Sequence, residues 1–226
     1  MFTLHIGNKN YSSWSLRPWV LMKELTIAFD EKLHAFSEVN NWDNFRQFSP
    51  TGTVPCLHDG DTIAWDSLAI IEYLAEDHPS IWPTDKAARA WARCASAEMH
   101  SGFSAMRNQC NMTVGQRVKI AEVSVELAKD IRRIDELWNQ GLSQFGGPFL
   151  AGDCFTAVDA FYAPIAYRIR TYSLELSEAA SQYAKRLLAL DSMQEWEAAA
   201  LKETWREPNH EKETQDSGTV IEDYRA

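Results

Sequence analysis

Hydrophobic and polar residues recur with two different periods along residues 1–80. Short runs with a period of two predict four β-strands, which are Phe2–Gly7, Phe29–Glu38, Val54–His58 and Thr62–Trp65. Stretches with a helical period predict helices at 15–25 and from Leu68 to about Asp77, with an irregular or helical connection over 41–47. The turn Asp59-Gly60-Asp61 joins the last two strands into a hairpin. Strand, helix, strand, hairpin and helix is the order of a thioredoxin-like α/β unit.

The pattern changes at a short linker, Ser80–Asp85, and is helical from there on. We expect a thioredoxin-like domain over 1–80 and an all-helical domain over 86–226, so the fold class is α/β followed by all-α. The predicted helices are 86–110, 114–140, 156–171, 178–190 and 192–203, with a loop at 141–147. From Glu207 onward the chain is polar, and we expect this tail to be disordered or draped over the surface.

Charge narrows the range of possible partners. The 226 residues carry a formal net charge of -10, which argues against nucleic acid or an anionic membrane, because both attract Lys and Arg. Residues 1–85 hold 5 Lys and Arg against 12 Asp and Glu. An anionic ligand would therefore need local help from helix ends and from individual basic side chains.

The cysteines are scattered and form no C-x-x-C pair; they are Cys56, Cys94, Cys110 and Cys154. This usage is typical of free thiols in a reducing compartment, so we expect a cytoplasmic protein. Neither the cysteines nor the six histidines show a metal-ligand spacing, and we expect no metal. The N-terminus has no basic region and no long apolar run, so we expect neither a signal peptide nor a transmembrane segment.

The first candidate site is Tyr11-Ser12-Ser13-Trp14, between the first predicted strand and the first predicted helix. A helix N-terminus offers free backbone N–H groups and the positive end of a dipole, which favour an anion. A hydroxyl at that place can donate a hydrogen bond to a bound thiolate or carboxylate. The alternative is that Ser12, Ser13 or Ser15 simply caps the helix.

Two further dipeptides are candidate ligand contacts. Val54-Pro55 lies at a strand start, where a thioredoxin-like unit places a cis proline that leaves the preceding backbone groups free to pair with a peptide-like ligand. The alternative is an ordinary trans proline at a strand edge. Asp66-Ser67 begins the next helix, where the hydroxyl and backbone N–H groups can hold a carboxylate while Asp66 accepts from an ammonium. These are the two charged groups of an α-amino acid, and the alternative is a plain N-cap.

In chain order, Ser12, Val54-Pro55 and Asp66-Ser67 resemble the pattern of the glutathione-transferase superfamily. The helix that follows reads LAIIEYLAE, which is similar to the family's sequence at that place. Residues 149–159, FLAGDCFTAVD, resemble the family's L-x-G-x-x-x-[ST]-x-x-D segment, in which Thr156 caps a helix and Asp159 reaches back to the N-cap N–H. The resemblance covers about residues 1–200 and implies the glutathione-transferase fold.

The resemblance also implies a role for each candidate. Glutathione, as co-substrate, would place its amino-acid end at Asp66-Ser67 and pair its cysteinyl backbone at Val54-Pro55. Its sulfur would point at Ser12, with Ser13 as the second candidate. In the serine-using tau, phi and zeta classes the active serine precedes an Arg by five residues, as Ser12 precedes Arg17.

Two positions depart from the family pattern. Trp14 stands where the zeta class carries a Cys, which argues against a maleylacetoacetate isomerase. Thr53 stands where several classes carry Lys or Gln for the glycine carboxylate of glutathione. Thr53 is a candidate glutathione-binding residue, but the contact with the glycine carboxylate must come from elsewhere, or the affinity for glutathione is reduced.

The activity that the resemblance implies is transfer of glutathione, as its thiolate, to a small hydrophobic electrophile held between the domains. Four residues are expected to line the electrophile pocket: Tyr11, Trp14, Met106 and Tyr167. For the last two, helical core is the alternative. A glutathione-dependent isomerase or peroxidase, and a binding protein that kept the fold without turnover, are the other hypotheses. The resemblance also implies a homodimer, for which the start of the helical domain, with Trp91 and Met99, is one candidate surface.

Overall fold

The computed structural model describes residues 1–37 and 41–226. Its N-terminal part is a four-stranded sheet in the order β2-β1-β3-β4. The strands are β1 (Phe2–Ile6), β2 (Phe29–Leu33), β3 (Cys56–Asp59) and β4 (Thr62–Trp65), and the helices around them are α1 (Ser13–Glu24), α2 (Asn41–Phe45) and α3 (Ser67–Ala75). β1 and β2 are parallel, whereas β3 is antiparallel to both β1 and β4. The predicted thioredoxin-like order is confirmed, although β2 ends earlier than predicted and its predicted end, Glu38, lies outside the described residues.

The C-terminal part is mostly helical. Its helices are α4 (Lys86–Ser101), α5 (Ser104–Gln109), α6 (Val125–Phe145), α7 (Ala157–Tyr172), α8 (Glu178–Leu188), α9 (Asp191–Leu201) and α10 (Pro208–Ser217). A 3₁₀ turn at Pro79–Ile81 lies in the connection between α3 and α4. The predicted reach of Asp159 back to the helix start is confirmed, because its Oδ2 accepts a hydrogen bond from the Thr156 N–H at 2.9 Å.

The predicted helix over 86–110 is two helices rather than one. α4 ends at Ser101, and its C-cap is Gly102, a residue that disfavours helix continuation. The next residue, Phe103, has a φ of 56°, in the left-handed region, and α5 begins after it at Ser104. α5 carries Arg107, which lines a cavity between the two parts of the chain.

The predicted helix over 114–140 is wrong in its first part. Gln116–Ile120 forms a strand, β5, that pairs antiparallel with β6 (Gly218–Asp223) near the end of the chain. Gln116 and Val118 are buried and alternate with more exposed neighbours, which is strand periodicity. α6 begins only at Val125 and runs through most of the predicted loop at 141–147. The tail from Glu207 onward forms α10 and β6, and β6 pairs with β5 of the helical part. It is therefore draped over the surface rather than disordered, which is the second of the two arrangements expected from the sequence.

α1 joins the two parts of the molecule. Its Leu16 and Val20 side chains are fully buried, and the helix packs against both the N-terminal sheet and α7. Trp19 of α1 meets Trp196 of α9 edge to face, with ring centroids 5.1 Å apart. Burial on two sides fixes the N-terminus of α1, where Ser12 and Ser13 lie, at the boundary between the parts.

Two classes of feature are missing from residues 1–37 and 41–226. None of their helices is both long enough and apolar enough to cross a membrane. No three His, Cys, Asp or Glu side chains in these residues are grouped so that they could hold a metal ion. All four cysteines are free thiols, of which Cys94 and Cys154 are exposed.

Candidate active site

A cavity of about 800 Å³ lies between the two parts of the chain. All three predicted segments contribute to its wall, namely Tyr11-Ser12-Ser13-Trp14, Thr53-Val54-Pro55 and Asp66-Ser67. Arg107 and Arg168, from the helical part, line the same cavity. The fold thus gathers at one cavity three segments that are far apart in the sequence.

Ser12 lies at the N-cap of α1 and lines the cavity. Its Oγ donates a hydrogen bond to Ser15 Oγ at 2.7 Å. Ser15 Oγ also accepts from the Gly7 N–H at 3.1 Å, which ties the first turn of α1 to the end of β1. The hydroxyl proton of Ser12 is therefore held within the first helical turn and does not point to a ligand.

Ser13 is the first residue of α1 and also lines the cavity. Its Oγ accepts a hydrogen bond from Nη2 of the buried Arg168 at 3.4 Å. Within the described part of the chain, no acceptor takes the Ser13 hydroxyl proton. A hydroxyl that accepts from a cation is a better donor through its own proton, so Ser13 is ready to donate into the cavity.

The Val54–Pro55 peptide bond is cis, as predicted. Pro55 is buried and Val54 is half-buried, and both lie at the cavity wall. Thr53 beside them is exposed, and its Oγ1 shares a hydrogen bond with Thr51 Oγ1 at 2.7 Å. The structure therefore places Thr53 at the cavity, but with a neutral hydroxyl and no cationic group.

Asp66 and Ser67 form the start of α3. Asp66 has a φ of 75°, and its Oδ1 accepts from the Leu68 N–H at 2.8 Å, so the N-cap alternative holds for this oxygen. Its Oδ2 lies 3.5 Å from Nε2 of His100 on α4. Ser67 Oγ accepts from Nη1 of Arg17 at 3.2 Å. The Arg17 guanidinium is therefore hydrogen-bonded to the Ser67 hydroxyl, which was expected to hold a carboxylate.

Three arginines surround the indole of Trp14 and the start of α1. The guanidinium carbons of Arg17 and Arg107 lie 4.2 and 4.6 Å from the Trp14 ring centroid, within cation–π range. Arg168 donates from Nε to the Cys110 carbonyl at 2.7 Å. None of the three forms an ion pair with a carboxylate among the described residues.

Burial and mutual repulsion destabilise the charges of these arginines. Burial, together with repulsion from the charge of Arg107, lowers the pKa of Arg168 to about 10. Burial also lowers the pKa of Arg17 well below its usual range, with Arg107 and Arg168 adding repulsion. The cavity wall is therefore positively charged, although the chain as a whole has a formal net charge of -10. The sequence marks Arg17 through its spacing to Ser12, but no signal in it connects Arg107 with Arg168.

No sequence signal placed the tail at this site, yet four of its residues line the cavity: Glu207, Asn209, His210 and Glu213. Tyr11 donates from its phenol to Glu211 Oε1 at 2.6 Å, and its ring stacks on His210 with centroids 4.9 Å apart. Arg225 donates to the same phenol oxygen at 3.2 Å. Burial and the hydrogen bond to Glu211 raise the pKa of Tyr11. The Tyr11 proton is thus held by the tail.

Two predicted pocket residues are not at the cavity. Met106 and Tyr167 are buried in the helical core and are not among the residues that line it. Tyr167 donates its hydroxyl proton to the Met193 carbonyl at 2.7 Å, which turns the side chain toward α9. The helical-core alternative is the correct one for both, whereas Tyr11 and Trp14 do line the cavity.

Known protein families match both parts of the chain. A family model described as the N-terminal domain of glutathione S-transferase matches residues 11–77. A second, described as the C-terminal domain of glutathione S-transferase, matches residues 116–206. Together the matches include all three segments of the cavity wall on the sheet side and Arg168 on the helical side.

Individual proteins that resemble the chain do so at low sequence identity. The chain is 27% identical over 172 residues, 73% of this chain and 77% of the relative, to a probable maleylacetoacetate isomerase of Caenorhabditis elegans. It is 30% identical over 128 residues, 54% of this chain and 56% of the relative, to glutathione S-transferase Z2 of Arabidopsis thaliana. A Burkholderia glutathione transferase homologue, solved with bound glutathione, has the same fold with a TM-score of 0.68 and 20% identity, covering 88% of this chain and 97% of its own.

Proposed function

The chain belongs to the glutathione S-transferase superfamily, and from that premise we propose that it conjugates the glutathione thiolate to small electrophiles. The observation that carries the proposal is the single cavity that collects the candidate serines, Val54-Pro55 and Asp66-Ser67. A tripeptide with an amino-acid end, an extended backbone and a thiol has one group for each of these three positions.

The amino-acid end of glutathione is assigned to Asp66 and Ser67. Oδ1 of Asp66 caps α3, whereas Oδ2, which lies 3.5 Å from His100 Nε2, is assigned to accept from the ammonium. The Ser67 hydroxyl, which accepts from Arg17, can donate its own proton to a carboxylate. Val54 lines the same cavity and is assigned to the cysteinyl backbone.

The thiol is assigned to the N-terminus of α1. A free thiol with a pKa of about 8.5 is only a few per cent ionised at neutral pH. The dipole of α1 favours the thiolate, as do a hydrogen bond from the Ser13 hydroxyl and the nearby charge of Arg168. The thiolate then attacks an electrophile in the space bounded by Tyr11, Trp14 and the tail.

Turnover of glutathione with 1-chloro-2,4-dinitrobenzene, compared with calorimetric binding of glutathione alone, tests the proposal. We expect both binding and turnover of glutathione in the parent protein. In the triple variant Ser12→Ala, Ser13→Ala and Ser67→Ala we expect binding at least about 10-fold weaker and loss of turnover. Arg132, exposed on α6, supplies a control: Arg132→Gln is expected to behave as the parent. Binding without turnover on any of several electrophiles would indicate the alternative of a non-catalytic binding protein.

A second candidate, glutathione-dependent isomerisation, is supported by relatives named as maleylacetoacetate isomerases, one from Caenorhabditis elegans at 27% identity and one from Rattus norvegicus at 29%. Trp14, at the position of the zeta-class Cys, argues against it. An assay that follows cis-to-trans conversion of an unsaturated diketo acid, with catalytic glutathione, separates the two: a transferase consumes glutathione, whereas an isomerase returns it.

We further propose that the chain forms a two-fold dimer. Of the two residues suggested for its surface, Met99 is fully buried in the core and is ruled out. Trp91 packs edge to face on Phe145, with ring centroids 5.5 Å apart, and is only partly exposed. A molecular mass in solution equal to one chain at micromolar concentration would contradict the dimer.

A further inference from the structure

The cavity has a positively charged wall on its helical side, and the assigned glutathione contacts use it only through the effect of Arg168 on the thiolate. Asp66, Ser67 and Val54 all belong to the N-terminal part. Arg107 on α5 and Arg168 on α7 line the cavity from the helical part. Glutathione's amino-acid end and backbone are therefore assigned without either arginine.

Arg168 is the stronger observation of the two. Its exposed fraction is 5%, so its charge is almost completely removed from bulk water. Nε donates to the Cys110 carbonyl at 2.7 Å and Nη2 to Ser13 Oγ at 3.4 Å. Both acceptors are neutral, and no described residue accepts from Nη1. A buried guanidinium without a carboxylate is costly to the protein unless something else supplies the negative charge.

Arg107 adds a second cation to the same wall. It donates from Nη2 to the carbonyls of Met99 and His100, the latter at 2.9 Å. Its Nε is buried without a hydrogen-bond partner in the described part of the chain. Arg107 and Arg168 also repel each other, so the protein holds two like charges together at a cavity rather than separating them.

The carboxylates that line the cavity do not neutralise this pair. Glu207 is engaged by His210, with Oε2 2.7 Å from Nδ1. Glu213 is exposed on α10 and forms no ion pair with either arginine. Asp66 lies 3.5 Å from His100 and attracts Arg17. Asp130 attracts Arg107 without forming an ion pair. Arg168 has no such carboxylate among the described residues, so a molecule that enters the cavity is the remaining source of a paired negative charge.

From this arrangement we propose that the second substrate is an anion: an electrophile that carries a carboxylate, which Arg107 and Arg168 bind while Trp14 covers its apolar part. The proposal rests on the proposed glutathione conjugation and specifies its substrate class. Guanidinium groups bind carboxylates with paired, charge-assisted hydrogen bonds, and the low exposure of Arg168 strengthens them. Trp14 lines the same cavity as the two arginines and contributes apolar surface there.

Conjugates that need no turnover provide the test. S-(3-carboxybenzyl)glutathione and S-(4-carboxybenzyl)glutathione each carry a carboxylate that S-benzylglutathione lacks, while the glutathione part is common to all three. We expect calorimetry to show at least one carboxybenzyl conjugate binding about 10-fold or more tightly than S-benzylglutathione, the size of one charge-assisted hydrogen bond.

Arginine variants locate the effect. Arg168→Gln and Arg107→Gln are each expected to reduce that affinity ratio by about 5-fold or more, while S-benzylglutathione affinity changes less. Arg168→Lys should retain part of the ratio, and Arg132→Gln, which removes an equal charge from an exposed position, should leave it unchanged. Since Arg107 is only partly buried, Arg107→Gln keeps the test available if Arg168→Gln does not fold.

The possible outcomes distinguish failure of the anionic-substrate proposal from failure of the proposed glutathione conjugation. Equal affinity of all three conjugates for the parent protein overturns the anionic-substrate proposal and leaves glutathione conjugation standing. An affinity ratio of carboxybenzyl to benzyl conjugate that stays the same in both arginine variants also overturns the anionic-substrate proposal. If the variants weaken all three conjugates equally, the arginines bind glutathione itself, and the proposal is again wrong. Failure of every conjugate to bind overturns the proposed function and this inference together.

Discussion

Ser13→Ala removes a hydroxyl whose proton no described residue accepts, at the N-terminus of α1. Ser12→Ala removes the neighbouring hydroxyl, whose proton is already given to Ser15 at 2.7 Å. The spacing to Arg17 favours Ser12 as the group that activates the thiol, whereas the hydrogen bonds favour Ser13. We predict that Ser13→Ala has the larger effect on the thiolate, because only its hydroxyl is free to donate and is polarised by Arg168.

The size of the effect follows from the charge of the sulfur. A hydrogen bond to a charged group is worth about 1.5–3 kcal/mol, which lowers a thiol pKa by about one to two. A thiol of pKa about 8.5 is about 1% ionised at pH 6.5, compared with about 9% at pKa 7.5 and about 50% at pKa 6.5. If the rate follows the thiolate fraction, Ser13→Ala lowers it by about 10- to 50-fold at pH 6.5.

The assay is the pH dependence of the conjugation rate at saturating glutathione, measured for the parent protein and for both serine variants. We expect the profile of Ser13→Ala to shift to higher pH and to converge with the parent as the pH rises above about 9, where a thiol of pKa about 8.5 is mostly ionised. Glutathione affinity should change little, since the hydroxyl favours the thiolate and not the tripeptide as a whole. Ser143→Ala, an exposed serine on α6, is the control.

Two results would refute this reasoning. A parent-like profile for Ser13→Ala with a shifted profile for Ser12→Ala would mean that the family spacing identifies the serine and that Ser12 exchanges its bond to Ser15 for one to the sulfur. Parent-like profiles for both variants would mean that the backbone N–H groups of α1 and the charge of Arg168 ionise the thiol without a hydroxyl.

Three further predictions follow from other contacts. Ser67→Ala should weaken glutathione about 10-fold or more by calorimetry, because it removes a donor to the carboxylate; unchanged affinity would contradict the assignment of that end. Arg225→Ala should speed thermolysin cleavage within 207–226 several-fold, because Arg225 joins Glu211 to the Tyr11 phenol, whereas Lys212→Ala, which breaks an exposed pair, should not. Burial lowers the pKa of His5 to about 4 from 6.5, with repulsion from His58 and His34 adding to it. Between those values the unfolded chain binds more protons, so stability should fall as pH drops from 6.5 toward about 4 in urea titrations, and less steeply in His5→Phe.

The N-terminal part was predictable because its signals are local. The hairpin, the cis proline and the start of α3 each depend on residues that are adjacent in sequence. β5 was not predictable in the same way, because its partner, β6, lies near the end of the chain. Without that partner, the apolar positions of 116–120 fit a helix as well as a strand.

The candidate site likewise combines residues that local motifs identify with residues that only tertiary packing brings together. Its sheet-side residues come from three short motifs, and the structure brings all of them to one cavity. The cationic wall depends on residues of α5 and α7 that no motif connects, and the tail reaches Tyr11 from the other end of the chain. Such contacts are set by tertiary packing, so sequence spacing carries no trace of them. Met106 and Tyr167 show the converse, because apolar residues on a helix predict core more reliably than pocket.

The most direct test is titration of the thiol of bound glutathione, followed by the ultraviolet absorbance of the thiolate against pH, without any electrophile. If the cavity binds glutathione with its sulfur at the N-terminus of α1, the bound thiol should titrate about one to two pH units below the value of about 8.5 for a free thiol. A bound thiol that titrates at the free value, or no saturable binding of glutathione, would contradict the proposed function.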